Sequence, residues 1–134
     1  MKDILVKRLK PKQDFKIELK QIVKEKNIAA RVIICAVGSL VEANLRMAGS
    51  NTIKQVKGPL EIVSCTGTLS PNGIHVHLAV ADADGCIVGG HLVAGCLIYT
   101  TIELVVLDLS TTKTFLRDLD IDTGCREIVI CDNQ

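Results

Sequence analysis

The chain has 134 residues, 48% of them hydrophobic but only 2% aromatic, and a net charge of +1 from 16 basic and 15 acidic side chains. This length supports one aliphatic core, so a single domain over residues 1–134 is expected, and the charge balance gives no overall electrostatic case for nucleic-acid binding. Apolar runs stay well below the ~20 residues that a membrane-crossing helix needs. The charged segment from Met1 to Phe15 also lacks a leader's apolar run and cleavage site, so a cytoplasmic protein is expected.

Basic residues crowd the first 26 positions, which reads as the solvated face of a helix rather than a DNA-binding arm. Within 14–26, Phe15, Leu19, Ile22 and Val23 recur at helical spacing behind Asp14, a residue suited to capping the first turn. Asn27 is expected to end this helix. Residues 30–38, ARVIICAVG, read as a buried strand closing on Gly38, and a second strand is expected over 41–47, VEANLRM. Polar, turn-rich 48–58 reads as a loop or edge excursion leading to a strand over 60–69. Two strands within 73–92 follow, then one over 100–109 and a last over 126–132. Connections too short for parallel crossovers predict an α+β domain with a largely antiparallel sheet.

Six cysteines include no CxxC pair. Cys35, Cys65 and Cys131 lie in strand-like apolar runs and read as small buried hydrophobes. Cys86 and Cys96 flank the histidine-bearing segment, where packing is favoured over metal ligation.

All three histidines fall in GIHVHLAVADADGCIVGGHL, residues 73–92. Alternation sends Ile74, Val76, Leu78 and Val80 to one face and His75, His77, Ala79 and Ala81 to the other. A three-residue loop of Ala83, Asp84 and Gly85 then makes a hairpin, with Gly85 in the left-handed position. If Asp82 faces Cys86, His77 stands opposite His91, Ala79 opposite Gly89 and Val76 opposite Leu92. A one-residue slip, for which Gly89-Gly90 offers a bulge, would send His91 to the aliphatic side. The spacing therefore leaves two arrangements open: three converging imidazoles able to hold Zn²⁺ or a similar ion with one position free, or structural and surface histidines.

Taken together, VGSLVEANLR (37–46), GPLEIVSCTGTL (58–69), the histidine segment, TTIELVV (100–106) and TGCREIVI (123–130) resemble the plant and prokaryote conserved (PPC) domain across the whole chain. Cys125 stands where bacterial members have the tyrosine of a TGYREL ending. The resemblance implies an antiparallel sheet flanked by a few helices, a homotrimer, and a match of His75, His77 and His91 to the family's metal-associated histidines. Zinc enzymes, including acetolactate decarboxylase, lie in the fold's wider neighbourhood, which is analogy of fold only.

Arg46 matches the arginine of the family's LR element and Glu61 the glutamate of its FEIL-like element, with Leu60 replacing the aromatic. Arg46 could hold a carboxylate or phosphate, and Glu61 could orient a histidine or water; a structural ion pair is the alternative for both. Glu103, inside an apolar strand, is a third candidate because an ionised carboxylate there needs a partner. Ser39 and Asn44 belong to the matched segment without a derivable role. In plant proteins the domain accompanies a DNA-binding AT-hook, absent from this sequence, and mediates self-association and contacts with transcription factors, the latter through the segment corresponding to GPLEIV. The expected function is a homotrimeric metal-binding domain that takes a small anionic ligand or a protein partner. A zinc-dependent hydrolase or decarboxylase acting on a small carboxylate or ester is the alternative, and a DNA-associated regulator ranks last.

Overall fold

The computed structural model describes residues 4–25 and 28–134. Within them lie β1 (Ile4–Leu9), α1 (Phe15–Glu25), β2 (Arg31–Arg46), β3 (Ile53–Ser70), β4 (Gly73–Ala81), β5 (Ile87–Leu92), β6 (Leu97–Asp108), β7 (Lys113–Leu119) and β8 (Arg126–Asp132). The class is α+β with mostly antiparallel strands, as expected, although one helix rather than a few accompanies the sheet among the described residues.

Asp14 starts α1 in the expected way. Its Oδ1 accepts hydrogen bonds from the backbone N–H groups of Lys16 at 2.9 Å and Ile17 at 3.2 Å, satisfying amides that the first turn leaves open. Its Oδ2 accepts from Gly95 N–H at 2.6 Å, so the cap also ties the helix to the chain after β5. Phe15, Leu19, Ile22 and Val23 are buried. The expected extension to Lys26 and the stop at Asn27 fall outside the described residues.

Six strands pair in the order β1-β6-β2-β3-β4-β5, and β5 also pairs with the far end of β2, Leu45 to Leu92 and Arg46 to His91. β2 serves all these partners because it is 16 residues long and its register with β6 shifts at three places; such bulges bend a strand. The sequence β2-β3-β4-β5 thereby closes on itself. Leu40, Leu45, Leu60, Leu78 and Leu92 are fully buried in the core. β7 and β8 form a separate two-stranded sheet. It is fastened to the β3–β4 turn by Asn72, whose Nδ2 donates to Arg117 O at 2.9 Å and whose Oδ1 accepts from Arg117 N–H at 2.8 Å.

The strand expected over 41–47 is the end of β2, joined to its first part through a bulge between Leu40 and Glu42 instead of a turn. The loop expected over 48–58 shrinks, because β3 begins at Ile53 and pairs back to Arg46. Glu42 accepts a hydrogen bond from Gln55 and forms an ion pair with Lys57, so this stretch is polar because it is an exposed hairpin arm. β1 places part of the basic N-terminal segment in a strand, not on a helix. Cys65 is buried, but Cys35 and Cys131 are exposed, correcting the packing expectation for those two. Irregular β2 turns both Ile34 and Cys35 outward, and β8 lies almost wholly exposed around Cys131. No described helix is long and apolar enough to cross a membrane.

Candidate metal centre

The β4–β5 hairpin sets the site. Asp82 N–H donates to Cys86 O at 3.0 Å and Gly85 N–H to Asp82 O at 3.0 Å, while Asp82 Oδ1 accepts from the amides of Asp84 and Cys86, both at 2.9 Å. Gly85 has φ +80°, a left-handed conformation that costs glycine little. The register is the expected one: His77 opposes His91, Ala79 opposes Gly89 and Val80 opposes Val88, without a slip at Gly89-Gly90. Leu92 pairs with Leu45 of β2, and no ladder pairing joins it to Val76. Close passage of β2 needs Gly90, since a Cβ there would lie 2.7 Å from Arg46 O.

The three rings consequently converge. Their centroids are 4.8 Å apart for His75 and His77, 5.2 Å for His75 and His91, and 5.8 Å for His77 and His91; one ring nitrogen from each lies within 4.8 Å of the others. His75 Nε2 and His77 Nε2 are 3.1 Å apart. Two nitrogens on one tetrahedral zinc, each about 2.0–2.1 Å from it, would be separated by roughly 3.3 Å. Burial, then the Arg46 guanidinium, pushes His91 down to about 4. Burial, followed by Arg117 and His77, also lowers His75. Both effects favour the neutral imidazole, the form that binds metal. The donor set thus fits a borderline divalent ion with a position left open.

Neither flanking cysteine joins the cluster. Cys86 is exposed at the hairpin end. Cys96 is buried, exchanges hydrogen bonds with the Asn44 backbone at 3.3 and 3.4 Å, and is pushed up to about 11, chiefly by burial, which keeps the thiol protonated.

Arg46 is brought to the centre by the pairing that closes the sheet. It lines two clefts on either side of His91, one of about 440 Å³ with His77 and one of about 380 Å³ with His75. Its Nη1 donates to Ser50 O at 3.2 Å. Glu61 is exposed and opposes Ala81, four residues along β4 from His77, and lines neither cleft. Glu103 is exposed opposite Arg8 and Val37, so water solvates the carboxylate and the buried partner expected for it is not required. Ser39 Oγ lies 2.7 Å from Thr100 Oγ1, and Asn44 Nδ2 donates to Ala94 O at 3.3 Å; both roles are structural.

Arg117, which no motif in the sequence marks, also reaches the centre. Its Nη2 donates to Thr68 Oγ1 at 2.7 Å and its Nη1 lies 3.5 Å from His75 Nδ1. Arginine only donates, so His75 Nδ1 accepts and its proton sits on Nε2, facing His77. Coordination through His75 Nε2 would move that proton to Nδ1 and cost Arg117 the contact. Arg117 shares a face of β7 with buried Phe115, a period-two signal that is legible once residues 113–119 are read as a strand.

Residues 1–110 match the family described as the Plants and Prokaryotes Conserved (PCC) domain. Over 123 residues, 92% of the chain, the sequence is 46% identical to the bifunctional protein GlmU of Synechococcus sp. (strain JA-3-3Ab), and it spans about a fifth of that protein's length, 20%. A hypothetical protein from Salmonella cholerae-suis has the same fold with TM-score 0.93 and 34% identity, covering 98% of this chain and 94% of its own. A metal-containing protein from Archaeoglobus fulgidus superposes with TM-score 0.80 at 26% identity, over 94% of this chain and 92% of its own. The fold extends to a Staphylococcus aureus protein similar to alpha-acetolactate decarboxylase, with TM-score 0.53 and 13% identity over 81% of this chain and 53% of its own.

Proposed function

The chain belongs to the Plants and Prokaryotes Conserved domain family, and from that premise we propose that it forms a homotrimer whose His75, His77 and His91 bind one divalent metal, zinc foremost. Beside the metal it receives a small anionic ligand or a protein partner. Convergence of three imidazoles on one point carries the metal reading, and the metal-containing relative from Archaeoglobus fulgidus supports it. Assembly is supported by Ile34, Val37, Val41 and Val63, large apolar side chains left 46–54% exposed on central strands, since contiguous apolar surface favours burial against a partner. The match to a fifth of a longer cyanobacterial protein supports a module that works beside other units.

A second reading, catalysis, is favoured by the open position and by Arg46 beside His91. When bound, the ion would supply Lewis acidity toward a carbonyl or a water. Arg46 would orient a substrate carboxylate across the cleft, while His75, His77 and His91 would hold the ion. Glu61 and Glu103 line neither of the two clefts beside the rings. A DNA-associated role ranks third, since a net charge of +1 with 2% aromatic residues offers neither phosphate neutralisation nor base stacking. Light scattering combined with metal analysis tests the main reading: three chains with one ion each support it, and a metal-free monomer overturns it.

A further inference from the structure

The two buried arginines have opposite electrostatic settings. Arg31, 5% exposed, is neutralised by Asp108, with Nε and Nη2 donating to Oδ2 at 3.1 and 2.9 Å. Arg117, 8% exposed, forms no ion pair with any carboxylate among the described residues. Its side-chain neighbours, Thr68 and His75, bring no carboxylate, and its buried Nε has no acceptor. A guanidinium does not shed its proton to escape burial, and a buried charge without a counter-charge is costly.

The surroundings add positive charge instead of cancelling it. Arg117 lines the cleft of about 380 Å³ between the start of β4 and the β7–β8 sheet, together with Arg46, Arg126, His75 and His91. The cleft's one carboxylate, Glu127, accepts a hydrogen bond from Thr123 Oγ1 at 3.2 Å. Arg126 Nη2 donates to Arg117 O at 2.8 Å, which fixes a second guanidinium against the Arg117 backbone in the same cleft. Thr68 and Asn72 hold Arg117 in place from the side chain and the backbone, so the cation is positioned before any ligand arrives.

We propose that this cleft is a binding site for the oxyanion group, carboxylate or phosphate, of a compact small molecule, with Arg117 as its counter-ion and Arg126 and Arg46 at its rim. Guanidinium groups match planar and tetrahedral oxyanions through paired N–H donors. The volume suits a small metabolite, falling at the lower end of ligand pockets. The inference rests on the reading that a small anion is the ligand; it does not require a metal.

The test uses full-length protein freed of metal by a chelator and titrated separately with inorganic phosphate and with malonate, followed by NMR shifts of the Thr68, Asn72, Gly73 and Arg117 amides. Saturable shifts are expected with at least one probe, weakening as sodium chloride rises. Arg117→Gln should raise Kd about tenfold or more, as loss of a charge-assisted contact does. If that variant fails to fold, Arg126→Gln, at an exposed position, carries the same test with about a threefold rise. The two probes tell phosphate from carboxylate recognition. Binding of neither, or unchanged affinity in the folded variant, overturns the site; that result also follows if an acidic side chain of a second copy fills the cleft. Anion binding by a parent protein that takes up no metal refutes only the metal reading, and anion binding that survives in His77→Ala, which leaves Arg117 in place, shows that the cleft does not depend on the ion.

Discussion

His77 stands directly opposite His91 in the β4–β5 ladder, with ring centroids 5.8 Å apart, and the hydrogen bonds among Asp82, Asp84, Gly85 and Cys86 fix that pairing. Because the ladder runs without a bulge from the loop to His77, the histidine face depends on the turn. Gly85→Val should destabilise the fold by about 1–2 kcal/mol, the cost of a left-handed conformation for a residue with a Cβ. Urea unfolding measures it, and an unchanged midpoint would show that the turn does not set the register.

In metal-free protein, His91 should titrate near 4, well below an ordinary histidine. Its folded value lies below its unfolded value, so the unfolded chain binds the proton more readily. This contribution to stability is therefore complete above about pH 6.5 and fades as pH falls toward 4. NMR titration of the imidazole checks this, and a midpoint close to 6.5 would contradict the burial and the Arg46 neighbour inferred as its causes.

Arg31 and Asp108 form the interior ion pair that Arg117 lacks. Burial raises the Asp108 carboxyl, but hydrogen bonds from Ser110 and Arg31 outweigh it and hold the group below its usual range. Asp108→Asn leaves Arg31 buried and unpaired and should cost about 3 kcal/mol. The depressed carboxyl stabilises the fold above about pH 4 and loses that effect as pH falls through its folded value. The variant's stability should thus change less than the parent's in acid; parallel acid limbs in urea titrations would contradict this.

How much of this was legible in sequence depended on which signals were local. The hairpin register could be read because period-two alternation and a three-residue loop ending in Gly85 both act within twenty residues. Asp14 was legible as a cap for the same reason. Arg46 could be matched by resemblance, but its place beside His91 comes from the closure of β2 onto β5, a contact between residues 45 positions apart in the chain. Arg117 and β7 were missed because neighbouring charges in KTFLRDL mask an alternation that matters only where β7 meets Asn72. Cys35 was misread since a bulge, invisible in the residue pattern, reverses its side.

Val37→Glu places a charge on an exposed apolar position of β2 and should lower the solution mass of the proposed trimer toward that of one chain while the circular dichroism spectrum is retained. An unchanged mass would remove this face from the assembly.

One metal ion held between His75, His77 and His91 is the proposal on which the metal-centre reading stands. Elemental analysis of protein purified without an affinity tag, alongside His77→Ala prepared identically, tests it most directly. One divalent ion per chain is expected in the parent, with a loss of about tenfold or more in affinity in the variant. Stoichiometric metal retained by His77→Ala, or a parent protein that takes up none from zinc-supplemented buffer, would contradict it.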